Sequence, residues 1–232
     1  MRPDELPIVR ELPLFAGMAE ENFALLVQAA YLQSFPPQVR LITEGDPADF
    51  LHMVVEGCVE LFAEGNERET SLLLMRPHNC FILAAVLKDA VNLMSARTTE
   101  RSRILLLPSQ NVRAAFERDA AFARALVVEL ASDFRTIIKE QKNQKLRTGV
   151  ERLANLLLRL HGEQGSNGKF VLPCDKRTLA ALLGMTPENL SRAFGTLRAY
   201  GVAVNGAEIK LDKLKDLELL AKPTPLIDDR AV

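Results

Sequence analysis

The spacing of apolar residues in the first part of the chain changes from helical to strand-like. Residues 20–30 place apolar side chains at i, i+3, i+4 and i+7, which predicts a short amphipathic helix. From residue 32 to 108, Gly and Pro separate short β-prone segments, among them 51–56 and the last one, 103–107. This pattern predicts a small antiparallel β-roll of the jelly-roll type in residues 1–110.

The next stretch has the spacing of a long helix, because no Gly or Pro interrupts residues 111–148. We predict one helix over residues 111–146. Its seam has the 3–4 spacing of a coiled coil and consists of Val127, Leu130, Phe134, Ile137 and Gln141. Such a seam packs either on its own domain or on the same helix of a second subunit, and its length favours the homodimer.

Residues 147–232 are predicted to form a second domain. After a helix over 150–162 and an exposed loop over 162–168, the segment 178–183 predicts a short helix, with Asp175 as its N-cap and Gly184 at its end.

The following helix begins at Thr186 and Pro187, which are typical N-cap and first-turn residues. Its inner face is Leu190, Phe194 and Leu197, and its outer face is Glu188, Ser191, Arg192 and Gly195. Two β-prone segments around Asn205-Gly206 then predict a hairpin with a type I′ turn. Together these elements predict a winged helix-turn-helix, and the whole chain an α+β fold.

The outer face of the second helix has the chemistry of a DNA major-groove reader. Arg192 is suited to the O6 and N7 atoms of guanine, Glu188 to the amino group of cytosine, and Ser191 to thymine or a phosphate. Lys176 and Arg177 are placed to contact phosphates. The candidate DNA-binding residues are therefore Glu188, Ser191, Arg192, Lys176, Arg177, Thr186 and Pro187. Because Glu188 and Arg192 are four residues apart, they also allow a simple surface ion pair.

Charge and composition agree with this interpretation. Residues 1–146 carry 16 basic and 20 acidic side chains, a net of −4, whereas residues 147–232 carry 13 and 10, a net of +3. Three cysteines without CxxC spacing exclude a disulfide framework or a cysteine-rich metal site, and no metal is predicted. The absence of an apolar run of membrane length and of a leader pattern predicts a soluble cytoplasmic protein with no membrane partner.

These motifs make the chain similar to the CRP/FNR family of bacterial transcription regulators. The segment 172–211 resembles the family's DNA-binding module, and Glu188, Ser191 and Arg192 match its FNR-type reading triad. LPLF at 12–15, EGDPAD at 44–49 and VVEGCVELF at 54–62 extend the resemblance to the roll. The resemblance implies a sensory β-roll resembling a cyclic-nucleotide-binding domain, a dimerisation helix over 111–146, and palindromic DNA with TTGA-type half-sites.

The effector is not identified by the sequence. Leu83 and Met94 stand where cyclic-nucleotide-binding members carry a ribose-binding Glu and a phosphate-binding Arg, which argues against cAMP, although a register shift would let Arg97 compensate. An iron–sulfur cluster needs four thiolates, which argues against FNR-type sensing. A haem sensor is an alternative, with His78 and Cys80 as candidate iron ligands. A redox-active thiol at Cys80 is a weaker alternative. The candidate effector pocket comprises His78, Cys80, Leu83, Met94, Ser95 and Arg97.

We therefore predict a homodimeric, sequence-specific regulator of transcription that acts as an activator, with double-stranded DNA and RNA polymerase as partners. The alternatives are a haem-based gas sensor or redox sensor of the same family, and a small-molecule-binding module that does not bind DNA. No enzyme is predicted, since the chain lacks a P-loop, a nucleophile elbow, an HExxH motif and a paired-carboxylate motif.

Overall fold

The computed structural model describes residues 1–2, 4–65, 68–164 and 168–229, and its contacts divide the chain into two units, Met1–Asp133 and Phe134–Val232. The helices of the first unit are α1 (Leu6–Arg10), α2 (Glu20–Gln28), α3 (Leu83–Lys88), α4 (Ser109–Arg118) and the first half of α5 (Ala120–Leu146). Its strands are β1 (Tyr31–Phe35), β2 (Arg40–Ile42), β3 (Phe50–Glu56), β4 (Val59–Gly65), β5 (Arg68–Met75), β6 (Cys80–Phe81), β7 (Ser95–Thr98) and β8 (Ser102–Pro108).

The strands form two four-stranded antiparallel sheets, with the orders β1-β8-β3-β6 and β2-β7-β4-β5. This arrangement confirms the predicted roll. The β-prone segments 51–56 and 103–107 lie in β3 and β8, which pair with each other in the centre of the first sheet.

Alternate side chains of β8 pack into two different hydrophobic cores. Leu105 and Leu107 pack with residues of the helices, whereas Ile104 packs in the space between the sheets. Because successive side chains of a strand point to opposite faces, one strand buries apolar surface on both sides. The interior between the sheets is filled by Ile42, Val54, Val59, Leu61, Phe81, Ala96 and Ile104.

The single helix predicted over 111–146 is two helices, α4 and α5, because Asp119 interrupts it. Asp119 has extended backbone angles and ends α4. Its carboxylate accepts hydrogen bonds from the N–H of Phe122 and, in the loop before α2, from the N–H of Ala19, both at 2.9 Å. Hydrogen bonds from the Phe122 N–H, which is the largest cause, from the Asn22 side chain and from the Ala19 N–H lower the pKa of the Asp119 carboxyl. The carboxylate therefore starts α5 as an N-cap does and ties it to α2.

The second unit contains the rest of α5, a three-stranded sheet and the helices α6 to α10. Its elements are α6 (Gly149–Gln164), β9 (Lys169–Val171), α7 (Lys176–Leu182), α8 (Pro187–Leu197), β10 (Val202–Asn205), β11 (Glu208–Leu211), α9 (Leu214–Ala221) and α10 (Pro225–Asp228). The sheet order is β10-β11-β9, and the winged helix-turn-helix is confirmed. Within the loop predicted over 162–168, residues 165–167 lie outside the described residues.

The tip of the wing differs from the predicted turn. Asn205 pairs with Glu208 inside the ladder, so the loop consists of Gly206 and Ala207. Gly206 has a φ of 62°, whereas Ala207 is not among the residues with a positive φ. Because a type I′ turn requires positive φ at both loop positions, the predicted type I′ turn is wrong.

In the part of the chain that the structure describes, no helix has the length and apolar composition that spanning a membrane requires.

Candidate nucleic-acid interface

Each helix of the helix-turn-helix begins with one side-chain N-cap. The carboxylate of Asp175 accepts hydrogen bonds from the N–H groups of Arg177 and Thr178, at 2.8 and 3.0 Å. The hydroxyl of Thr186 accepts from the N–H of Asn189 at 3.3 Å, and Pro187 takes the first helical position. Both caps are confirmed as predicted, and they satisfy N–H groups that otherwise lack partners.

Burial divides α8 into the two predicted faces. Leu190, Phe194 and Leu197 belong to the core of the second unit. Glu188, Ser191, Arg192 and Gly195 are exposed, as are Thr186, Pro187, Lys176 and Arg177. All seven candidate DNA-binding residues therefore lie at the surface, in the first turn of α7, at the N-cap of α8 and along the first half of α8.

The carboxyl of Glu188 is held in its charged form. Hydrogen bonds from its own backbone N–H and from the Thr186 hydroxyl, together with the nearby charge of Arg192, lower the pKa of Glu188 below its ordinary value. At neutral pH it is a hydrogen-bond acceptor, which is what the amino group of cytosine requires.

A groove of about 220 Å³ lies between α8 and the wing. Ser191 and Gly195 line it on the helix, Val204 and Gly206 line it on the wing, and Lys176 is at one side. The exposed guanidinium-bearing residue Arg198 also lines it. Sequence reasoning missed Arg198 because it follows the end of α8, and only the return of the wing makes it part of the groove.

Two arginines brace the corner where α5 meets α6. Arg152 donates to the carbonyl of Leu183 at 2.8 Å and to that of Arg147 at 2.8 Å. Arg147 donates through both terminal nitrogens to the carboxylate of Asp228, at 2.7 and 2.6 Å. The break at residues 148–149 is therefore tied both to the helix-turn-helix and to the C-terminal segment. Nothing in the local pattern near Arg147 signals a partner 81 residues away.

The pair of Arg147 and Asp228 leads to a pH-dependent stability prediction. Burial raises the pKa of Asp228, but hydrogen bonds from Arg147 and from the Thr224 N–H outweigh it, so the pKa lies below its ordinary value. The pair should stabilise the fold above the unfolded-state pKa of about 3.9, and that stabilisation should disappear as pH falls through the folded-state pKa. Since the Arg147 side chain is only 7% exposed, Asp228→Asn should cost about 1–3 kcal/mol in urea unfolding at pH 7.

The matched control for this experiment is Asp212→Asn, whose carboxylate pairs with Lys210 while both side chains are about half exposed. It should change stability by less than about 0.5 kcal/mol. A deficit of Asp228→Asn that stays constant down to pH 3 contradicts the role of the ionised pair.

Of the five predicted seam residues of α5, one packs against the core and four are exposed. Leu130 packs against the core of the first unit. Val127, Phe134 and Ile137 are exposed by 54%, 64% and 57%, and Gln141 is also exposed. Three apolar side chains of the seam are therefore more than half exposed in the single chain.

The candidate effector residues are divided among different parts of the first unit. Cys80 and Leu83 lie in the core next to the helices, whereas Met94 packs against the core between the sheets. His78 is exposed, on a turn where its φ is 75°. Ser95 is fully buried and accepts a hydrogen bond from the N–H of Glu44 at 3.0 Å.

Arg97 is committed to an ion-pair network. Its Nε lies 2.8 Å from the buried carboxylate of Glu60, and its two terminal nitrogens bond both oxygens of Glu69 at 2.8 and 2.7 Å. Its guanidinium also stacks 4.4 Å from the ring centre of Phe62. Because Ala96, its neighbour on β7, points into the core between the sheets, Arg97 lies on the opposite face of β7.

Three residues of the candidate effector pocket lack the groups that a cyclic nucleotide requires. A phosphate needs a free cation and a ribose hydroxyl needs a polar acceptor, but Leu83 and Met94 supply neither. Arg97, the compensating candidate, is held by two carboxylates. If a phosphate displaced these carboxylates from Arg97, the buried Glu60 would lose its cation. Breaking a buried ion pair in this way costs more free energy than breaking an exposed one.

The environment of Cys80 does not favour thiolate chemistry. Burial, followed by the charges of Glu129 and Asp133, raises the pKa of the Cys80 thiol well above its ordinary value. The thiol lies 3.8 Å from Glu129, to which it donates. A protonated, buried thiol reacts slowly with oxidants. Of the two candidate haem ligands, Cys80 is buried and His78 is exposed.

Two family models match the chain. The model described as Cyclic nucleotide-binding domain matches residues 32–119, and the model described as Crp-like helix-turn-helix domain matches residues 151–220. Among curated proteins, the chain is 24% identical over 177 residues to potassium channel AKT2 of Oryza sativa subsp. japonica, which covers 76% of this chain and 19% of the channel. The chain thus spans about a fifth or less of the curated relatives it matches.

Solved structures resemble both units. A transcriptional regulator of the CRP/FNR family from Thermus thermophilus is 27% identical, with a TM-score of 0.63 over 83% of this chain and 99% of that chain. The catabolite activator protein from the same organism is 26% identical, with a TM-score of 0.50 over 90% of this chain and 98% of that chain.

Proposed function

This chain belongs to the CRP/FNR-type family of DNA-binding transcription regulators, and we propose that it acts as a homodimer on palindromic DNA with TTGA-type half-sites. The observation that carries the proposal is the exposure of Glu188, Ser191 and Arg192 on one face of a helix whose other face is core. We assign it no catalytic reaction, as expected for a regulator of this family.

Each base-reading residue has a defined part in the proposal. Arg192 donates two hydrogen bonds to guanine, and Glu188 accepts one from cytosine on the opposite strand. Ser191 contacts thymine or a phosphate. Lys176 and Arg177, at the start of α7, bond the phosphates beside the half-site, and the starts of both helices lie at the surface to do so.

The homodimer is supported by the apolar side chains of α5. Phe134 and Ile137 are more than half exposed in the single chain, at the 3–4 spacing of a coiled-coil seam. Covering them with the same helix of a second subunit would remove this surface from water. A twofold-related pair of α8 helices, about 34 Å apart, would then match successive major grooves and a palindrome.

Control by an effector is the least specified part of the proposal. We propose that the signal acts on the roll and is not a cyclic nucleotide, since Leu83, Met94 and Arg97 do not offer the required groups. A DNA-binding role puts the protein in the cytoplasm, with RNA polymerase as a further partner when it activates transcription.

The test is fluorescence anisotropy with a TTGA–TCAA duplex, a scrambled duplex, and salt from about 50 to 200 mM. Lys176 and Arg177 of two subunits would neutralise at least four phosphates, so the logarithm of affinity should fall with the logarithm of salt concentration with a slope of about −3.6 or steeper. The palindrome should bind more tightly than the scrambled duplex. Absence of salt-dependent duplex binding would instead indicate a small-molecule-binding module whose helix-turn-helix contacts only protein.

A further inference from the structure

No contact within the described chain requires a glycine at position 195. It lies inside α8, it is exposed, and a Cβ built on it meets no atom within 4 Å. Its φ is not in the left-handed region, so no turn requires a glycine there. Glycine weakens a helix interior relative to alanine, because it loses more backbone freedom on folding. The folded chain would therefore be more stable with alanine at this position.

The position of Gly195 points to an external partner. It follows Ser191 by four residues and Arg192 by three, so it shares their exposed face of α8. It also lines the groove between α8 and the wing. A missing side chain at this point lets another molecule come closer to the helix backbone than any other residue type would permit.

The charges around the groove indicate what that molecule is. Lys176 and Arg198 line the same groove and are exposed. Arg192 lies one turn earlier on the same face of α8. The other residues that line the groove are uncharged, and positive side chains beside an uncharged surface suit a phosphate and its deoxyribose.

We propose that the sugar–phosphate backbone of one DNA strand lies in this groove, in van der Waals contact with the backbone of Gly195. Lys176 and Arg198 hold the phosphate on either side, and the absence of a Cβ sets how deeply α8 enters the major groove. This inference rests on the proposed DNA-binding function and adds a residue whose contribution is its lack of a side chain.

The experiment compares Gly195→Ala with Gly162→Ala. Gly162 is a glycine of helix α6, and a Cβ on it also meets nothing within 4 Å. Both variants should raise the melting temperature by about 2 °C, since each gains helix propensity. Only Gly195→Ala should lose affinity for the TTGA–TCAA duplex, by about tenfold or more, and Gly195→Leu should lose more.

The loss should also appear with a random-sequence duplex, because every sequence has the same backbone. Equal affinity of Gly195→Ala and the wild type, with salt-dependent binding intact in both, overturns this inference and leaves the proposed function standing. A loss confined to one base pair of the palindrome also overturns it, since that result places a base edge at Gly195. Failure of the wild type to bind any duplex is the separate failure of the proposed function.

Discussion

Arg192→Ala should weaken binding to a TTGA–TCAA duplex by about 5- to 150-fold, equivalent to 1–3 kcal/mol, and should relax specificity at the guanine. A guanidinium that bonds the O6 and N7 atoms of one base loses both hydrogen bonds at once. The fold should be unaffected, because the Arg192 side chain is exposed and its carbonyl, which accepts from the Thr196 hydroxyl at 3.2 Å, is retained.

The measurement is anisotropy with a set of duplexes, each carrying one substituted base pair in both half-sites. Arg177→Ala is the control, since a lost phosphate contact should weaken all duplexes alike and reduce the salt slope by about one per contact. If Arg192→Ala discriminates among the duplexes as the wild type does, Arg192 is not the reader of guanine.

The helix-turn-helix was predictable because its determinants are local. Asp175 and Thr186 cap helices that begin within one residue of them, and the 3.6-residue period assigns Leu190 and Phe194 to the core without tertiary information. The candidate DNA face is predictable for the same reason, since one helix defines it. Its role in binding stays a prediction.

Elements set by distant partners were not predictable in this way. Asp119 breaks the helical pattern through bonds to Ala19 and Asn22, about 100 residues earlier in the chain. Strand β9 (Lys169–Val171) is only three residues long and exists because it pairs with β11. A short segment of this kind has no periodicity of its own.

The effector residues show the same limit. They were grouped by resemblance to a cyclic-nucleotide pocket and by the ligand chemistry of His78 and Cys80, but strand alternation sends neighbouring side chains to opposite faces. Arg97 finds its partners on β4 and β5, at Glu60 and Glu69. Only the sheet register, which pairs Arg97 with Glu60, reveals why it is not free to bind a phosphate.

Disruption of the α5 seam should have the largest effect on DNA binding. Phe134→Asp should convert the dimer to a monomer, because each subunit would place a carboxylate opposite its own copy in an apolar seam. The subunit should still fold, since the Phe134 side chain is 64% exposed within the single chain. Affinity for the TTGA–TCAA duplex should fall about 100-fold or more, because a monomer binds one half-site and loses the high effective concentration of the second reader.

Sedimentation equilibrium gives the mass, circular dichroism the fold, and anisotropy the affinity in this experiment. Ser132→Asp is the matched control, because Ser132 is exposed on the same helix but lies outside the 3–4 seam. It should stay dimeric and bind DNA as the wild type does, since its added charge faces water. A dimeric Phe134→Asp variant with unchanged affinity contradicts the seam, whereas equal dissociation of both variants shows that another face of α5 forms the interface. The arrangement of the two α8 helices on DNA depends on which of these results is found, since the seam fixes the twofold axis that relates them.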